Sequence, residues 1–450
     1  MMMTNEIISF TAVELSAHLR AKKISAVEIA DAHIEHTKRV NPHINALVAY
    51  NFEDMIGMAK LVDQSIARGI DLGSLMGIPC TVKANIDQQG FATTNGLEIQ
   101  SQLIADTNSP VVDNIIKSGG LIIGRTNTPA FSMRWFTSNQ HHGNTLNPRN
   151  NSLTPGGSSG GGAAAAASGM GIIAHGTDIA GSIRYPAYAC GIHGLRPSFG
   201  RVPAHNFSGP DRHIGAQVMA VSGPMARSVA DVRLAFSAMI GEDIRDPWHL
   251  HAPLSRGSYM KKVALCTNPD NMNVHPQILA ELYDVRDRLK QCGWIVEECA
   301  LPPLKEAVPH QLSMWLAEML RNGGETIERE NDPAANEVFT QLKRHAPETD
   351  LNSFLDTLQY RAWLTRQWRT FLQSYPLVLC PVSGALPFEN EQDLKGDATF
   401  DQIIEDQMLQ IAIPFMGLPG MTVTTNISED VPCGVQLIAS HYREDILLDA

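Results

Sequence analysis

The sequence predicts an α/β protein whose β-sheet is covered by helices on both faces. Between Gly77 and about Ala235, short runs rich in β-branched residues, such as 121–123 and 171–174, alternate with segments of helical character. That alternation is typical of a sheet buried on both sides by the helices that connect its strands. The composition agrees with this class, because 44% of the 450 residues are hydrophobic, which is enough for a large core.

Two helices are predicted near the N-terminus. Residues 11–21 and 26–39 carry apolar side chains at helical spacing, with Ser25 as a cap and Pro42 closing the pair. We therefore expect residues 1–70 to form a helical layer.

A catalytic core is predicted at 77–235, and two further regions follow it. Region 236–380 is predicted to contain, in order, a polar loop at 241–256, strand-like runs at 263–265 and 294–296, and helices through about 305–372. Strand-like runs at 377–379 and 421–424 predict that residues 381–450 return to the core sheet.

Charge and cysteine content restrict the environment and the partners. The net charge is −12 without an opposing basic stripe, so nucleic acid is not expected as a substrate. Seven scattered cysteines without paired spacing predict reduced thiols and a cytoplasmic protein. The first residues lack the basic and apolar regions of a signal peptide, and no apolar stretch reaches the length of a membrane span.

The most informative segment is 155–184, PGGSSGGGAAAAASGMGIIAHGTDIAGSIR. It places Ser158 and Ser182 in glycine-rich backbone on either side of an apolar run. Glycine is required where φ is positive or where a ligand approaches the main chain closely. A flexible linker would not continue into five alanines and an apolar run, so the segment predicts a site built on serines.

Three familiar glycine-loop motifs fail here because their context is wrong. A phosphate loop needs a lysine after its last glycine, where this chain has Ala163. The stretch GMGIIA at 169–174 follows an alanine-rich helix, whereas a dinucleotide loop follows a strand. The stretch GSSGG at 157–161 follows a loop with Pro148 and Pro155 instead of the buried strand that precedes a nucleophile elbow.

Histidine and metal chemistry find no support in the sequence. None of His175, His193 or the pair His141 and His142 has a context that assigns it a role in a Ser-His-Asp triad. Neither HExxH nor CxxC occurs, so we expect no metal site and no cofactor.

Three motifs occur in order along the chain: GIPCTVK at 77–83, GGSSGG at 156–161 and GTDIAGSIRYP at 176–186. With them, and with GRTNTP at 124–129, GLP at 417–419 and GVQL at 434–437, the chain resembles the amidase signature family. The resemblance spans most of the sequence and is weak at about 240–400. It implies the amidase signature fold, a large mixed twisted β-sheet covered by α-helices on both faces, as a single domain over residues 1–450 with a variable substrate-pocket region at 236–380.

The resemblance implies a Ser-Ser-Lys catalytic unit. Ser182 is the implied nucleophile, Ser158 the bridging serine on a cis peptide bond, and Lys83 the base. A serine needs a base within hydrogen-bond reach, and a lysine can serve only when burial keeps it neutral. Lys83 follows an apolar run at 78–82 that predicts a buried strand. The implied reaction cleaves a carboxylic acid amide to the acid and ammonia or an amine through an acyl-enzyme.

Backbone amides at 179–182 are the expected oxyanion-hole donors, contributed by Ile179, Ala180, Gly181 and Ser182. The family usually has glycine at the position of Ala180, so the conformation of this loop is narrower here. Activity is still expected.

Three further residues are expected to support the site. Asp178 and Arg184 would brace the loop, although an exposed, solvated arginine is the alternative for the latter. Ser159 would hydrogen-bond Lys83 or the loop, or cap the helix predicted at 163–167. Relatives often place an acid at the position of Ala84; its loss removes a charge that would favour protonated lysine.

The substrate is expected to be a small aliphatic or aryl carboxamide. Met133, Trp135 and Trp315 are candidate walls of an apolar acyl pocket, and the alternative is that they belong to the core. Two other functions stay open. One is the glutaminase component of a glutamyl-tRNA amidotransferase complex, and the other is a catalytically silent binding protein with the same fold. A homodimer is also left open.

Overall fold

An eleven-stranded sheet organises this computed structural model, which describes residues 4–255 and 257–450. The Arg256 end of the predicted 241–256 loop and the first three residues lie outside the described residues. The strands of the described chain are β1 (Leu47–Ala49), β2 (Pro79–Lys83), β3 (Leu121–Thr126), β4 (Ser138–Asn139), β5 (Gly143–Asn144), β6 (Ile173–Asp178), β7 (His193–Arg196), β8 (Val221–Ala226), β9 (Lys262–Leu265), β10 (Ile295–Glu298), β11 (Leu377–Pro381), β12 (Gly420–Ser428) and β13 (Val431–Ala439).

Helices connect and flank these strands. They are α1 (Thr4–Ser9), α2 (Ala12–Arg20), α3 (Ala26–Ile44), α4 (Phe52–Ala67), α5 (Pro110–Lys117), α6 (Gly160–Ala167), α7 (Arg184–Cys190), α8 (Ile214–Met219), α9 (Val229–Met239), α10 (Pro276–Gln291), α11 (Ala307–Met319), α12 (Glu325–Glu330), α13 (Pro333–His345), α14 (Leu351–Ser374), α15 (Asp397–Asp406), α16 (Met408–Met416) and α17 (Glu444–Asp449).

The large sheet is mixed. Its strand order is β1-β3-β2-β6-β8-β7-β12-β13-β11-β9-β10, while β4 and β5 form a separate small pair. Strand β2 is parallel to both β3 and β6, and β9 is parallel to both β10 and β11. The central strands from β6 through β8, β7, β12 and β13 to β11 are antiparallel to their neighbours along this series. This confirms the α/β class with a large mixed sheet.

The sheet is covered on both faces near the predicted catalytic segments. Every residue of β2 and of β8 is buried. Since successive side chains of a strand point to opposite faces, this burial requires packing on both sides. The apolar run predicted at 171–174 becomes β6, which starts at Ile173 and extends to Asp178.

The N-terminal helices begin where the sequence predicts, and the second one ends later. Ser25 caps α3 in a capping box with Glu28, and Thr11 caps α2 in the same way. Pro42 does not close the second helix, because α3 continues through it to Ile44. The helix ends at Asn45, which adopts a left-handed conformation with φ of 56° and donates its N–H to the carbonyl of Asn41.

Buried apolar side chains form a core that includes residues from both ends of the chain, such as Ile7 and Leu448. Among the described helices, none has both the length and the apolar character needed to cross a bilayer.

Gly223 on β8 tests how tightly the centre of the sheet is packed. A Cβ at this position would lie 2.3 Å from the Leu195 carbonyl oxygen and 2.7 Å from Cδ of Pro197. We expect Gly223→Ala to lower the free energy of unfolding by about 1–3 kcal/mol through overpacking. Gly57→Ala is the matched control, because a Cβ at Gly57 in α4 meets nothing within 4 Å. There we expect a gain of roughly 0.5–1 kcal/mol from helix propensity. Equal urea midpoints for the two variants would contradict this account.

Candidate active site

Lys83 ends strand β2 with its side chain inside the protein. Its Nζ lies within hydrogen-bond distance of three hydroxyl oxygens: Ser158 Oγ at 2.7 Å, Ser159 Oγ at 3.0 Å and Thr177 Oγ1 at 2.9 Å. Burial lowers the pKa of Lys83 well below its ordinary value, while the charge of Asp178 acts in the opposite direction. A neutral amine keeps two hydrogens and a lone pair, so one of the three hydroxyls donates to it.

Ser158 is the hydroxyl best placed to donate to that lone pair. Ser159 Oγ is already committed, because it donates to the Thr177 carbonyl and accepts the Thr177 N–H, both at 3.2 Å. Thr177 Oγ1 accepts a second hydrogen bond from Nδ2 of Asn85 at 3.0 Å. Within the described chain, Ser158 Oγ has Lys83 as its hydrogen-bond partner. The contacts therefore favour proton transfer from Ser158 to Lys83.

Ser159 occupies the residue before α6 without capping it. Its side chain makes no hydrogen bond to the first turn of the helix. The hydroxyl points instead to Lys83 and Thr177. Of the two roles expected for Ser159, the structure contains the hydrogen bond to Lys83 and not the cap.

The loop before α6 passes very close to the neighbouring backbone. The Gly157–Ser158 peptide bond is cis, as the resemblance implies. A Cβ on Gly157 would lie 2.3 Å from the Arg134 carbonyl oxygen and 2.5 Å from the Phe136 nitrogen. Only glycine permits this approach, so Gly157 lets the loop place Ser158 against Lys83.

Ser182 lies in the turn between β6 and α7. It borders the same cavity as Ser158 and Thr177. The backbone N–H of Ser159 donates to the carbonyl of Ser182 at 3.2 Å, which ties the two glycine-rich segments together. The structure thus brings the three residues of the implied catalytic unit to one place, although they are up to 99 positions apart in sequence (182 − 83).

Asp178 is a buried carboxylate that holds this turn. It accepts backbone N–H groups from Gly181 at 2.9 Å and Ile183 at 3.2 Å. It also pairs with Nε of Arg184 at 3.0 Å and Nη1 of Arg196 at 3.4 Å, and both guanidinium groups are buried. Burial alone would raise the pKa of Asp178, but the two arginines outweigh it and bring the pKa to about 2. Asp178 therefore stays charged at any ordinary pH.

The Gly181 amide corrects the expected set of oxyanion donors. Its N–H already has the Asp178 carboxylate as an acceptor, so it is not aimed at a substrate. Gly181 is needed for a different reason, because its φ is +95° and a Cβ would lie 2.6 Å from Cβ of Gln410. The glycine allows the turn to bend tightly against the helix that carries Gln410.

The amides of Ile179, Ala180 and Ser182 have no acceptor in the part of the chain that the structure describes. A peptide unit is planar, so holding its carbonyl also holds the N–H of the next residue. Each of these three units is held by a hydrogen bond to its carbonyl: Arg196 Nη1 to Asp178 O at 2.5 Å, Gln311 Nε2 to Ile179 O at 2.9 Å, and Tyr185 N to Gly181 O at 2.7 Å. Arg196 and Gln311 escape sequence reasoning because no local motif connects them to this turn.

A cavity of about 470 Å³ opens over Ser182. Of the three predicted pocket residues, Trp315 borders it, while Met133 and Trp135 do not. The prediction for these two is wrong, because both are buried against the core. Trp135 has a structural contact instead, since its Nε1 donates to the Ala180 carbonyl at 2.7 Å.

The sequence profile of the family described as Amidase matches residues 28–448. The chain belongs to this amidase family. It is 37% identical to the indoleacetamide hydrolase of Bradyrhizobium diazoefficiens over 446 residues, which covers 98% of the chain and 85% of that protein. It is 30% identical to an acylamidase of Rhodococcus erythropolis, with 97% of the chain and 93% of the relative covered.

More distant relatives agree with the family. The glutaminase-type component of a glutamyl-tRNA(Gln) amidotransferase from Cyanothece sp. is 27% identical, with 96% of the chain and 95% of that protein covered. The solved structure of a bacterial aryl acylamidase of the amidase signature family superimposes with a TM-score of 0.84 at 24% identity, covering 98% of the chain and 94% of that structure. The amidase signature fold and a hydrolase of the amidase class follow from these matches.

Asp178→Asn tests the dependence of this amidase on its buried carboxylate. The substitution leaves two buried guanidinium groups without their anion, and we expect the free energy of unfolding to fall by about 3–5 kcal/mol. We also expect amide hydrolysis to fall, because the turn at 179–183 loses two hydrogen bonds. Asp393→Asn is the control, because it breaks another buried pair, with Arg134 at 2.8 Å. Thermal unfolding and hydrolysis rates at a temperature where both variants are folded separate the effects. Equal loss of rate in both would contradict a specific role of Asp178.

Proposed function

We propose that this amidase hydrolyses carboxamides through Lys83, Ser158 and Ser182 with an acyl-enzyme intermediate. The observation that carries the proposal is the 2.7 Å contact between the buried Lys83 amine and Ser158 Oγ at the floor of the cavity that Ser182 borders. A buried neutral lysine in reach of a hydroxyl is the arrangement that activates a serine without histidine.

The chemistry proceeds by two proton transfers and one attack. Ser158 gives its proton to the Lys83 lone pair and takes the proton of Ser182, whose Oγ attacks the amide carbonyl carbon. The negative charge on the carbonyl oxygen is stabilised by the free N–H groups of Ile179, Ala180 and Ser182. The proton on Lys83 returns through Ser158 to the leaving nitrogen. Ammonia or an amine departs, and water then cleaves the ester at Ser182 by the same relay.

The substrate class we infer is a primary amide of a small arylacetic acid. The indoleacetamide hydrolase at 37% identity supports an acetamide side chain on an aromatic ring. A cavity of about 470 Å³ is in the range that holds such a molecule. Apolar side chains of Trp315, Met319 and Ile327 contribute to its wall.

The two alternatives have weaker support. The amidotransferase relatives are 27–28% identical, below the indoleacetamide hydrolase. A silent binding protein would not need a buried lysine held against serine hydroxyls, and an unpaired buried lysine costs stability. Ala84 and Ala180 do not remove any group that the proposed steps use.

The nucleophile is tested with a serine-reactive fluorophosphonate followed by intact mass. We expect one adduct on the unaltered protein, none on Ser182→Ala, and labelling slowed about 10²–10⁴-fold in Lys83→Met. Ser168→Ala is the control, because Ser168 Oγ donates to the Ala164 carbonyl at the end of α6, away from the cavity. An adduct that persists in Ser182→Ala would refute the assignment.

The base is tested by the pH dependence of kcat/KM. We expect the rate to rise with pH as Lys83 loses its proton, and to level off at a pH below the roughly 10.4 of free lysine. The folded pKa of Lys83 is lowered, so the unfolded chain binds the extra proton between the two values, and the Lys83 contribution to stability falls as pH falls through that window.

Histidines at the cavity provide the control for this profile. His205 and His213 border the cavity, while burial lowers the pKa of His175 to about 3 and removes it from the titration range. The double variant His205→Gln/His213→Gln should keep the rising limb. Loss of the limb in that variant would assign it to histidine and not to Lys83.

A further inference from the structure

Two charged side chains border the catalytic cavity and have no part in the proposed proton relay. Glu318 lies on α11, and Arg212 lies in the segment 204–213 that covers the cavity. Among the ion pairs of the described chain, these two residues do not pair with each other. Since charged groups at a binding cavity must be satisfied when a ligand displaces water, they restrict which ligands fit.

Glu318 has one oxygen engaged and one available. Its Oε1 accepts the backbone N–H of Ala216 at 2.8 Å, while Oε2 has no hydrogen-bond donor among the described residues. Burial raises the pKa of Glu318, which shows that its surroundings solvate the charge poorly. A carboxylate oxygen in such a place binds an N–H donor strongly.

Arg212 presents a guanidinium to the same space. That guanidinium has no hydrogen-bond acceptor or carboxylate within 4 Å in the described chain. Guanidinium groups stack on aromatic faces and prefer electron-rich rings such as indole. An aromatic ligand can therefore satisfy Arg212 without bringing a second negative charge near Glu318.

Apolar side chains surround the two charges. Trp315 and Met319 lie one turn apart on α11, on the same side as Glu318, and Ile327 borders the cavity from α12. A purely anionic acyl group would satisfy Arg212 and repel Glu318, and a cationic one would do the reverse. A neutral ring with one N–H satisfies both and fits an apolar wall.

We propose that Glu318 and Arg212 select amides whose acyl group carries an N–H heteroaromatic ring, with the ring N–H donating to Glu318 and the ring face against Arg212. This inference rests on the proposed function, because the amide must lie at Ser182 while its ring occupies this wall. Glu318 is the specificity-determining residue for the ring nitrogen, and Arg212 is the binding residue for the ring itself.

The test compares indole-3-acetamide with benzothiophene-3-acetamide, in which sulfur replaces the ring N–H at nearly the same size. A hydrogen bond to a charged group predicts that the unaltered enzyme prefers the indole in kcat/KM by roughly ten- to a hundredfold. In Glu318→Gln the amide oxygen keeps the Ala216 bond and the NH₂ faces the ring, so the preference should fall to about one. In Arg212→Met both substrates should lose rate together while their ratio stays.

Glu306→Gln is the matched control, because Glu306 precedes α11 and contacts Tyr360 without bordering the cavity. It should leave both rates and their ratio unchanged. A ratio near one in the unaltered enzyme, or a ratio that survives Glu318→Gln, would overturn the inference.

L-Glutamine and phenylacetamide complete the experiment. Glutamine preferred over both aromatic amides would assign Glu318 and Arg212 to an amino-acid head group and overturn the ring inference. Phenylacetamide turnover together with a Ser182 adduct shows that the proposed function holds even where the ring inference fails. Absence of both adduct and turnover for every amide would refute the proposed function, and the inference with it.

Discussion

The buried ion cluster of Asp178 with Arg184 and Arg196 is the interaction on which the site depends. Two guanidinium groups and one carboxylate without solvent are stable only when the remaining donors find partners. Arg184 completes its set with the Gln410 carbonyl and Oε1 of Gln436, and Arg196 with the carbonyl of Met219. The turn that carries the nucleophile is therefore held by contacts from the C-terminal third of the chain as well as from its own neighbours.

The same cluster affects the base. Lys83 needs a low pKa, yet the negative charge of Asp178 nearby favours the protonated amine. The two arginines offset that charge, so the burial of Lys83 remains the dominant influence. An isolated aspartate in the same place would hold the turn and disable the base. The pairing thus serves the geometry of the turn and the protonation state of the lysine together.

Local signals in the sequence predict most of the elements, and contacts across long sequence distances escape them. The Ser25 cap and the apolar run before Lys83 each encode a structure within a few residues. Pro42 misled because one missing N–H near the end of a helix did not stop it. Gln311 holds the Ile179 carbonyl from a helix 132 positions away, which one sequence does not reveal. A motif names the backbone groups of an oxyanion site, and only the fold decides which of them remain free.

Chemistry and selectivity occupy different parts of the chain. The relay and its turn lie between Lys83 and Arg184, whereas the cavity wall with Arg212, Trp315 and Glu318 comes from residues 205–327. The relay side chains are supported by the sheet, which tolerates little change, while the wall is built from helix surfaces and a covering segment. Substitutions in the wall can alter which acyl group binds without exposing Lys83 to water, so the pKa of the base is insulated from changes in specificity. That separation explains why much of the wall comes from the region with the weakest family resemblance.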